Sequence, residues 1–568
     1  MTKKKDFSFI HFFSIGIIAV AILLCVRLYQ VQIQKGEHFK SLSERQYDSI
    51  SLDENFDRGL IIFKYKDGRD FFAASNQSGY ILAIDPAHLD NPELVYRKLS
   101  EVVEIDKDDF DRKAAKSDDP YEELVKQISQ EEGQEIASLE LKGVVLKKKR
   151  WRFYPGNQMA SQVLGFISEK DRTLKGQYGL ERQFDDILKN DSTNLYSNIF
   201  VEFYSGLKKT FGEGRFHGNV VATIEPNIQS YTEEVIENIQ RDWSSKNTGI
   251  IIMHPYTGEI ISMAQAPTFD LNNFGQVNSV SDFNNIAVEN VYEMGSIIKP
   301  ITIAIGLETD SVNANTTYDD KGYQTLNGRT FYNYDKRGRG VVDMQIVLNN
   351  SLNTGAAFVV SQVGNKKFVE YMKKFFATQT KIDLPAEGRP LISNLDTLRD
   401  IELATASYGQ GIAISPIQTI KALASLGNGG MLVNPHIVRE LQYDYGVSKK
   451  MNTDEPVRIF SQDTSEEISR MLIEVVDDAL LGGTVSLEHY SVAAKTGTAQ
   501  IAMPTGGYYE DRYLHSFFGY FPAYDPQFIV LLYTVEPQGA KYASGTLTEP
   551  FFDIAKYLIN YYEIEPDR

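Results

Sequence analysis

The chain of 568 residues contains a single cysteine, Cys25, so no disulfide can form within it. That excludes a disulfide-stapled secreted scaffold but not export, since large exported domains hold together without such bonds. Histidine is scarce. The eight histidines are scattered, with no H-E-x-x-H and no pair at i, i+4, so no zinc site is expected. There is no G-x-S-x-G elbow, which disfavours an α/β-hydrolase. There is no G-x-x-x-x-G-K, which removes a P-loop. Basic residues are outnumbered, 58 against 76 acidic, for a net charge of −18, which argues against nucleic-acid binding; a solvated acidic surface is the simplest reading. Repeats and low-complexity tracts are also lacking. Hydrophobic content of 42% is ample for a sizeable core, and the length allows about two to four domains.

Charge is missing altogether from Phe7 to Val26, an apolar run as long as the roughly 20 residues that cross a bilayer as a helix. Lys3, Lys4 and Lys5 precede it and favour a cytoplasmic N-terminus. The run ends without a small-residue cleavage pattern and is long for a signal-peptide core. The expectation is an uncleaved anchor: residues 1–6 cytoplasmic, 7–26 transmembrane, the rest outside the cytoplasmic membrane.

Three short motifs follow in order: Ser296-Ile297-Ile298-Lys299, Ser351-Leu352-Asn353 and Lys495-Thr496-Gly497-Thr498. S-x-x-K arises by chance roughly two or three times in a chain this long, and a decoy stands at Ser205-Gly206-Leu207-Lys208. S-x-N has decoys at Ser192-Thr193-Asn194 and Ser311-Val312-Asn313. Order and context therefore carry the inference. Together the motifs describe a serine acyl-transfer site built without histidine. A serine hydroxyl needs a base to take its proton. Ser296 and Lys299 share one helix face, and Pro300 is tolerated if Ser296 opens the helix. Lys299 must be neutral to act as base, which requires its pKa to fall by about 3 units; burial and a second cation, Lys495, can supply that. Ser351 is placed to relay a proton between the lysines, and Asn353 to orient Lys299 and hold a substrate amide. The Lys-Thr-Gly-Thr run reads as a strand, with Thr496 and Thr498 on one face to hold a substrate carboxylate and Gly497 open to a substrate backbone. The N–H groups of Ser296 and Thr498 are the expected oxyanion hole. Lys495 alternates to the other face, so a bend or edge position must bring it to the site. No metal or organic cofactor is implied.

Along the chain, Asp57-Arg58-Gly59 and Lys66-Asp67-Gly68 suggest strands joined by a turn. Asp106 to Glu135 is highly charged and reads as a solvated helical subdomain. Phe211-Gly212-Glu213-Gly214 is the linker candidate, dividing residues 27–214 from 215–568.

These motifs resemble the penicillin-binding proteins, in particular the class B, monofunctional D,D-transpeptidases. Further matching stretches are Thr248 to Ile252 with His254 to Ile261, Tyr408-Gly409-Gln410-Gly411 with Ser415 to Gln418, Asn428-Gly429-Gly430, and His515 to Pro522. Upstream, Arg152-Phe153-Tyr154-Pro155 to Gly165, and Gly179-Leu180-Glu181, resemble signatures of the family's N-terminal pedestal. Two positions depart from the pattern: Met294 stands where proline is usual, and the acidic residue opening the catalytic domain is shifted to Glu225. Neither should carry chemistry.

The resemblance implies an α+β fold: a transmembrane helix, an elongated mixed α/β pedestal of the dimerisation type (27–214), and a serine β-lactamase-like transpeptidase domain (215–568) whose central antiparallel sheet is covered by helices. It implies cross-linking of peptidoglycan stem peptides through an acyl-enzyme, inhibition by β-lactam antibiotics, and a membrane-embedded SEDS-type glycan polymerase and other wall-synthesis or division proteins as partners. Asn353 in the second motif is closer to division-type members, penicillin-binding protein 3 among them, than to the elongation type. The same three motifs also serve a β-lactamase or a D,D-carboxypeptidase. A β-lactam sensor or silent scaffold is the reading from another class; no signalling module precedes Phe7, and no catalytic residue is missing.

Overall fold

A computed structural model describes residues 56–568 other than 118, 171–172, 191–216, 278, 445 and 452–453. The expected membrane span, the glycine linker and the decoys at Ser192 and Ser205 lie outside the described residues. Among the described residues no helix is long and apolar enough to cross a membrane. The described chain forms two compact units, one of residues 56–57 with Asn76–Trp151, the other of Arg58–Ser75 with Arg152–Arg568.

In the smaller unit, Tyr80 to Ile84 pair antiparallel with Glu122–Ile128. Helices Pro92–Ser100, Lys107–Ala114 and Gln130–Ser138 each start at a side-chain cap, Asn91, Asp106 and Ser129. Their apolar faces enclose a core of Leu82, Leu99, Phe110, Ile128 and Ile136. The charged stretch from Asp106 is thus two helices around a strand rather than helical throughout. The strand Glu122–Ile128 has mostly half-buried side chains, and its backbone finds partners in Tyr80 to Ile84.

In the larger unit, Ile61–Lys64 turns back through Gly68 (φ +85°) so that Lys64 pairs with Asp70, as the glycines suggested. The same strand runs parallel to Gly218–Ala222, which is antiparallel to Val438–Tyr443. Nearby, the two upstream signatures meet. Glu181, fully buried, accepts Nε–H bonds from Arg58 and Arg152, both at 2.6 Å. Burial opposes the Glu181 charge, but the two guanidiniums hold its carboxyl below the usual range.

The second sheet of this unit carries the motifs. Its strands are β1 (Asn247–Met253), β2 (Ile260–Ala266), β3 (Ala493–Ala502), β4 (Tyr508–Phe521) and β5 (Phe528–Val535), in the order β3-β4-β5-β1-β2, every pair antiparallel. Helices α1 (Pro226–Trp243), α2 (Lys299–Glu308), α3 (Asn353–Val363), α4 (Pro416–Ala424), α5 (Gln462–Glu474) and α6 (Thr548–Tyr562) accompany it. Strand alternation divides the side chains between two cores. Ile250, Ile252, Phe517, Val530 and Leu532 join α1 and α6 residues such as Ile236 and Leu558. Ile251, Met253, Phe518 and Leu531 join Ile301 and Ile305 of α2 and Leu472 of α5. With both faces covered, β5 is buried at all 8 positions, which is why it reads as an unbroken apolar run. Glu225, the shifted acid, is the N-cap of α1: its carboxylate accepts the Ile228 N–H at 2.8 Å.

Candidate active site

Ser296 sits on a 3-10 turn, Gly295–Ile298, that runs directly into α2 at Lys299. Residues three apart eclipse in such a turn, so Ser296 and Lys299 share a face as expected. Pro300 falls in the first turn of α2, where a missing N–H costs nothing. The turn is pinned from behind. Gly295 has φ +64°, and a Cβ there would meet the Thr498 carbonyl at 3.1 Å. The Met294 carbonyl accepts the Ser516 hydroxyl at 2.8 Å. The serine turn therefore lies against the Lys-Thr-Gly-Thr strand, β3. Ser296 itself is half-buried.

Lys299 is fully buried. Its Nζ donates to the Ser351 carbonyl at 2.5 Å and to the Ser351 hydroxyl at 3.1 Å. Burial pushes this amine well below the ordinary lysine range, and the charge of Lys495 pushes it further. Lys495 is also buried, and burial lowers it to about 8. Lys495 needs no bend or edge to reach the site: it pairs with Phe518, on the β3 face whose core includes Ile297 of the serine turn and Ile301 of α2, and its Nζ donates to the Thr496 carbonyl at 3.2 Å.

Ser351 adopts φ +51° in the short connection to α3. This left-handed conformation is uncommon for a residue with a side chain and turns both its carbonyl and hydroxyl onto Lys299. Asn353 is placed differently from expectation. Its Nδ2 donates to the Tyr332 carbonyl at 2.8 Å rather than to any group of Lys299. Gly497 also has another reason to be glycine: a Cβ would meet Ser516 Oγ at 2.3 Å and the Met294 carbonyl at 2.9 Å. Its small size is required by packing of the serine turn. Thr496 and Thr498 are half-buried on one face, and Thr498 Oγ1 accepts the Ala543 N–H at 3.1 Å.

Several neighbours had no role assigned from the sequence. His515 pairs with Thr498 across β3 and β4; burial lowers it to about 4, and its Nδ1 lies 2.9 Å from Thr546 Oγ1 in the turn that carries Ala543. Tyr542 meets Tyr334 edge-on at 5.8 Å between ring centroids. Glu293, next to the serine turn, is raised by burial to about 7 and accepts the Tyr508 hydroxyl at 3.0 Å. These contacts join residues remote in sequence, whose pairing no spacing marks. Among the described residues no cluster of metal-binding side chains is found.

Two family models match the chain: the penicillin binding protein transpeptidase domain over residues 248–556 and the penicillin-binding protein dimerisation domain over residues 57–194. The chain is 29% identical to stage V sporulation protein D of Bacillus subtilis over 97% of its own length and 84% of the relative's. It is 26% identical to a peptidoglycan D,D-transpeptidase FtsI homolog of Mesostigma viride, over 100% of this chain and 98% of that one. The fold matches penicillin binding protein 2X from Streptococcus thermophilus with a TM-score of 0.71 at 19% identity, covering 90% of this chain and 80% of that one. With the transpeptidase model spanning more than half its length and its three motifs gathered at one site, the chain belongs to the class B penicillin-binding protein transpeptidases.

Proposed function

We propose that the protein cross-links peptidoglycan outside the cytoplasmic membrane by serine acyl transfer. The observation that carries this reading is Lys299: a buried amine, disfavoured as a cation by burial and by Lys495, on the same face as Ser296 and bonded to Ser351. Ser296 attacks the carbonyl of the penultimate D-alanine of a stem peptide. Its proton goes to Lys299, with Ser351 as relay toward Lys495. The N–H groups of Ser296 and Thr498 take the developing oxyanion. The terminal D-alanine leaves, carrying a proton from the lysine–serine pair; the amine of a neighbouring stem peptide then attacks the acyl carbon, gives a proton to that pair and displaces Ser296 Oγ, which is reprotonated from it. Thr496 and Thr498 hold the substrate carboxylate beside the charge of Lys495, and Asn353 the peptide amide. A β-lactam acylates the same serine and stays.

The apolar run from Phe7 to Val26, flanked by Lys3 to Lys5, supports an anchor holding this site near lipid-linked substrate and a SEDS-type polymerase. Asn353 favours the division type. The test is a reaction of stem-peptide donors with an amine acceptor. The expected result is cross-linked product, with release of D-alanine blocked by penicillin. Release without any cross-link would make the enzyme a carboxypeptidase, and rapid turnover of the penicillin itself would make it a β-lactamase.

A further inference from the structure

Helix α3 begins directly after Ser351-Leu352, and its own N-cap position, Leu352, offers no side-chain bond. Helix starts leave N–H groups unpaired, and a start this close to the chemistry must be held by something else. The structure supplies it from a distant hairpin region. Asn333 Oδ1 accepts the Thr354 N–H at 3.2 Å, in the manner of an N-cap provided from outside the helix. The Thr354 hydroxyl donates to Asp320 Oδ1 at 2.7 Å. Asn333 Nδ2 donates to the same carboxylate at 2.9 Å, and the Gly322 and Arg339 N–H groups complete it at 2.9 and 3.1 Å. Asp320, Asn333 and Thr354 are 2%, 1% and 4% exposed. A buried carboxylate is costly unless hydrogen-bonded; here its partners include the Thr354 hydroxyl at the start of the helix that follows the second motif, where negative charge is favoured.

The consequence reaches Lys299. Its two acceptors are the carbonyl and hydroxyl of Ser351, a residue at φ +51°, a conformation unfavourable for a residue with a side chain that persists only where its flanks are fixed. One flank is Leu352 N–H to the Val347 carbonyl at 2.9 Å. The other is the Asp320–Asn333–Thr354 node.

We infer that Asp320, Asn333 and Thr354 are positioning residues for the reaction: they supply the missing cap of α3 and thereby hold Ser351 against Lys299. This deepens the proposed function and rests on it.

The test measures acylation by benzylpenicillin in the full chain. Active sites are titrated first, so that each rate constant refers to folded protein only. Thr354→Val keeps the side-chain shape but loses the donor, and should slow acylation per site by roughly ten- to a hundredfold, the scale of a small misplacement at a reacting group. Thr354→Ser restores the hydroxyl and should return the rate to within about twofold of wild type. Asp383→Asn is the control: it is a half-buried carboxylate, bonded to the N–H groups of Ile437 and Val438 at 2.7 and 2.6 Å, and should leave the rate per site unchanged even if the protein melts earlier. If Thr354→Val yields no titratable sites, Asn333→Ser is read in the same way. Thr354→Val acylating at the wild-type rate per site, Thr354→Ser as slow as Thr354→Val, or Asp383→Asn equally slow would each overturn the inference. A wild-type chain that penicillin does not acylate would instead overturn the proposed function.

Discussion

At the scale of single residues, the two lysines divide the work by their charge. Lys299 must lose its proton to act as base, whereas Lys495 must keep its own to be useful as a cation. The acylation rate should therefore rise with pH as Lys299 deprotonates and fall near pH 8 as Lys495 does. Lys495→Arg should remove the alkaline fall, because a guanidinium stays charged; Lys299→Arg should be nearly inactive for the same reason. Stopped-flow acylation across pH 5 to 10 distinguishes them, and the opposite ranking would mean the roles are exchanged. The buried amine also weakens the fold. In the unfolded chain Lys495 holds its proton up to its ordinary value of 10.5, in the folded chain only up to about 8. Between these values the unfolded state binds more protons, so stability rises with pH through that window. Below it the full penalty applies, about 3 kcal/mol from the shift. Lys495→Met should thus unfold at a higher denaturant concentration at pH 7 and lose much of the rise between pH 8 and 10.5. A variant less stable than wild type at pH 7 would show that the amine is better compensated than its surroundings imply.

At the scale of elements, the Arg58–Glu181–Arg152 knot shows a charge doing structural work away from the site. Removing one member of a buried ionic group strands the others, at about 3–5 kcal/mol. Glu181→Gln should lower stability by that order in denaturant titrations. Because the folded pKa of Glu181 is lowered, its stabilisation is present above the unfolded carboxylate value and is lost as pH falls through the folded one. The wild type and the variant should converge in acid, and an undiminished difference at pH 2 would contradict this. The elements also show how much was legible beforehand. Ser296, Lys299 and Ser351 were readable because a helical turn and two short motifs encode their relation locally. Thr496 and Thr498 were readable from strand alternation. The placement of Lys495 was not, because it depends on which face of β3 the helix α2 covers, a fact of tertiary packing. Asn353 and Gly497 were assigned to substrate, while their visible partners are the Tyr332 carbonyl and the packing of the serine turn. The cap from Asp320 and Asn333, and the Ala543 N–H on Thr498, join segments far apart in sequence and leave no spacing to read.

At the scale of the whole molecule, chain on the N-terminal side of residue 215 reaches into the unit that holds the catalytic sheet. The strand Ile61–Lys64 belongs to the same compact unit as the catalytic sheet and pairs with Gly218–Ala222. A fragment starting at residue 215 should expose that strand edge and melt below a fragment starting near Arg27, which retains it; equal melting temperatures would show the pairing is dispensable. The longer fragment should bind penicillin yet fail to replace the full chain in cells, since it lacks the apolar run from Phe7 to Val26. Everything functional rests on one bond, between Ser296 Oγ and an acyl carbon. Peptide mapping by mass spectrometry of the penicillin-treated full chain locates it. The adduct should fall on Ser296 alone and disappear in Ser296→Ala, where loss of the nucleophile costs on the order of 10⁴-fold or more. An adduct on another residue, or one that persists unchanged in Ser296→Ala, would contradict the histidine-free serine site.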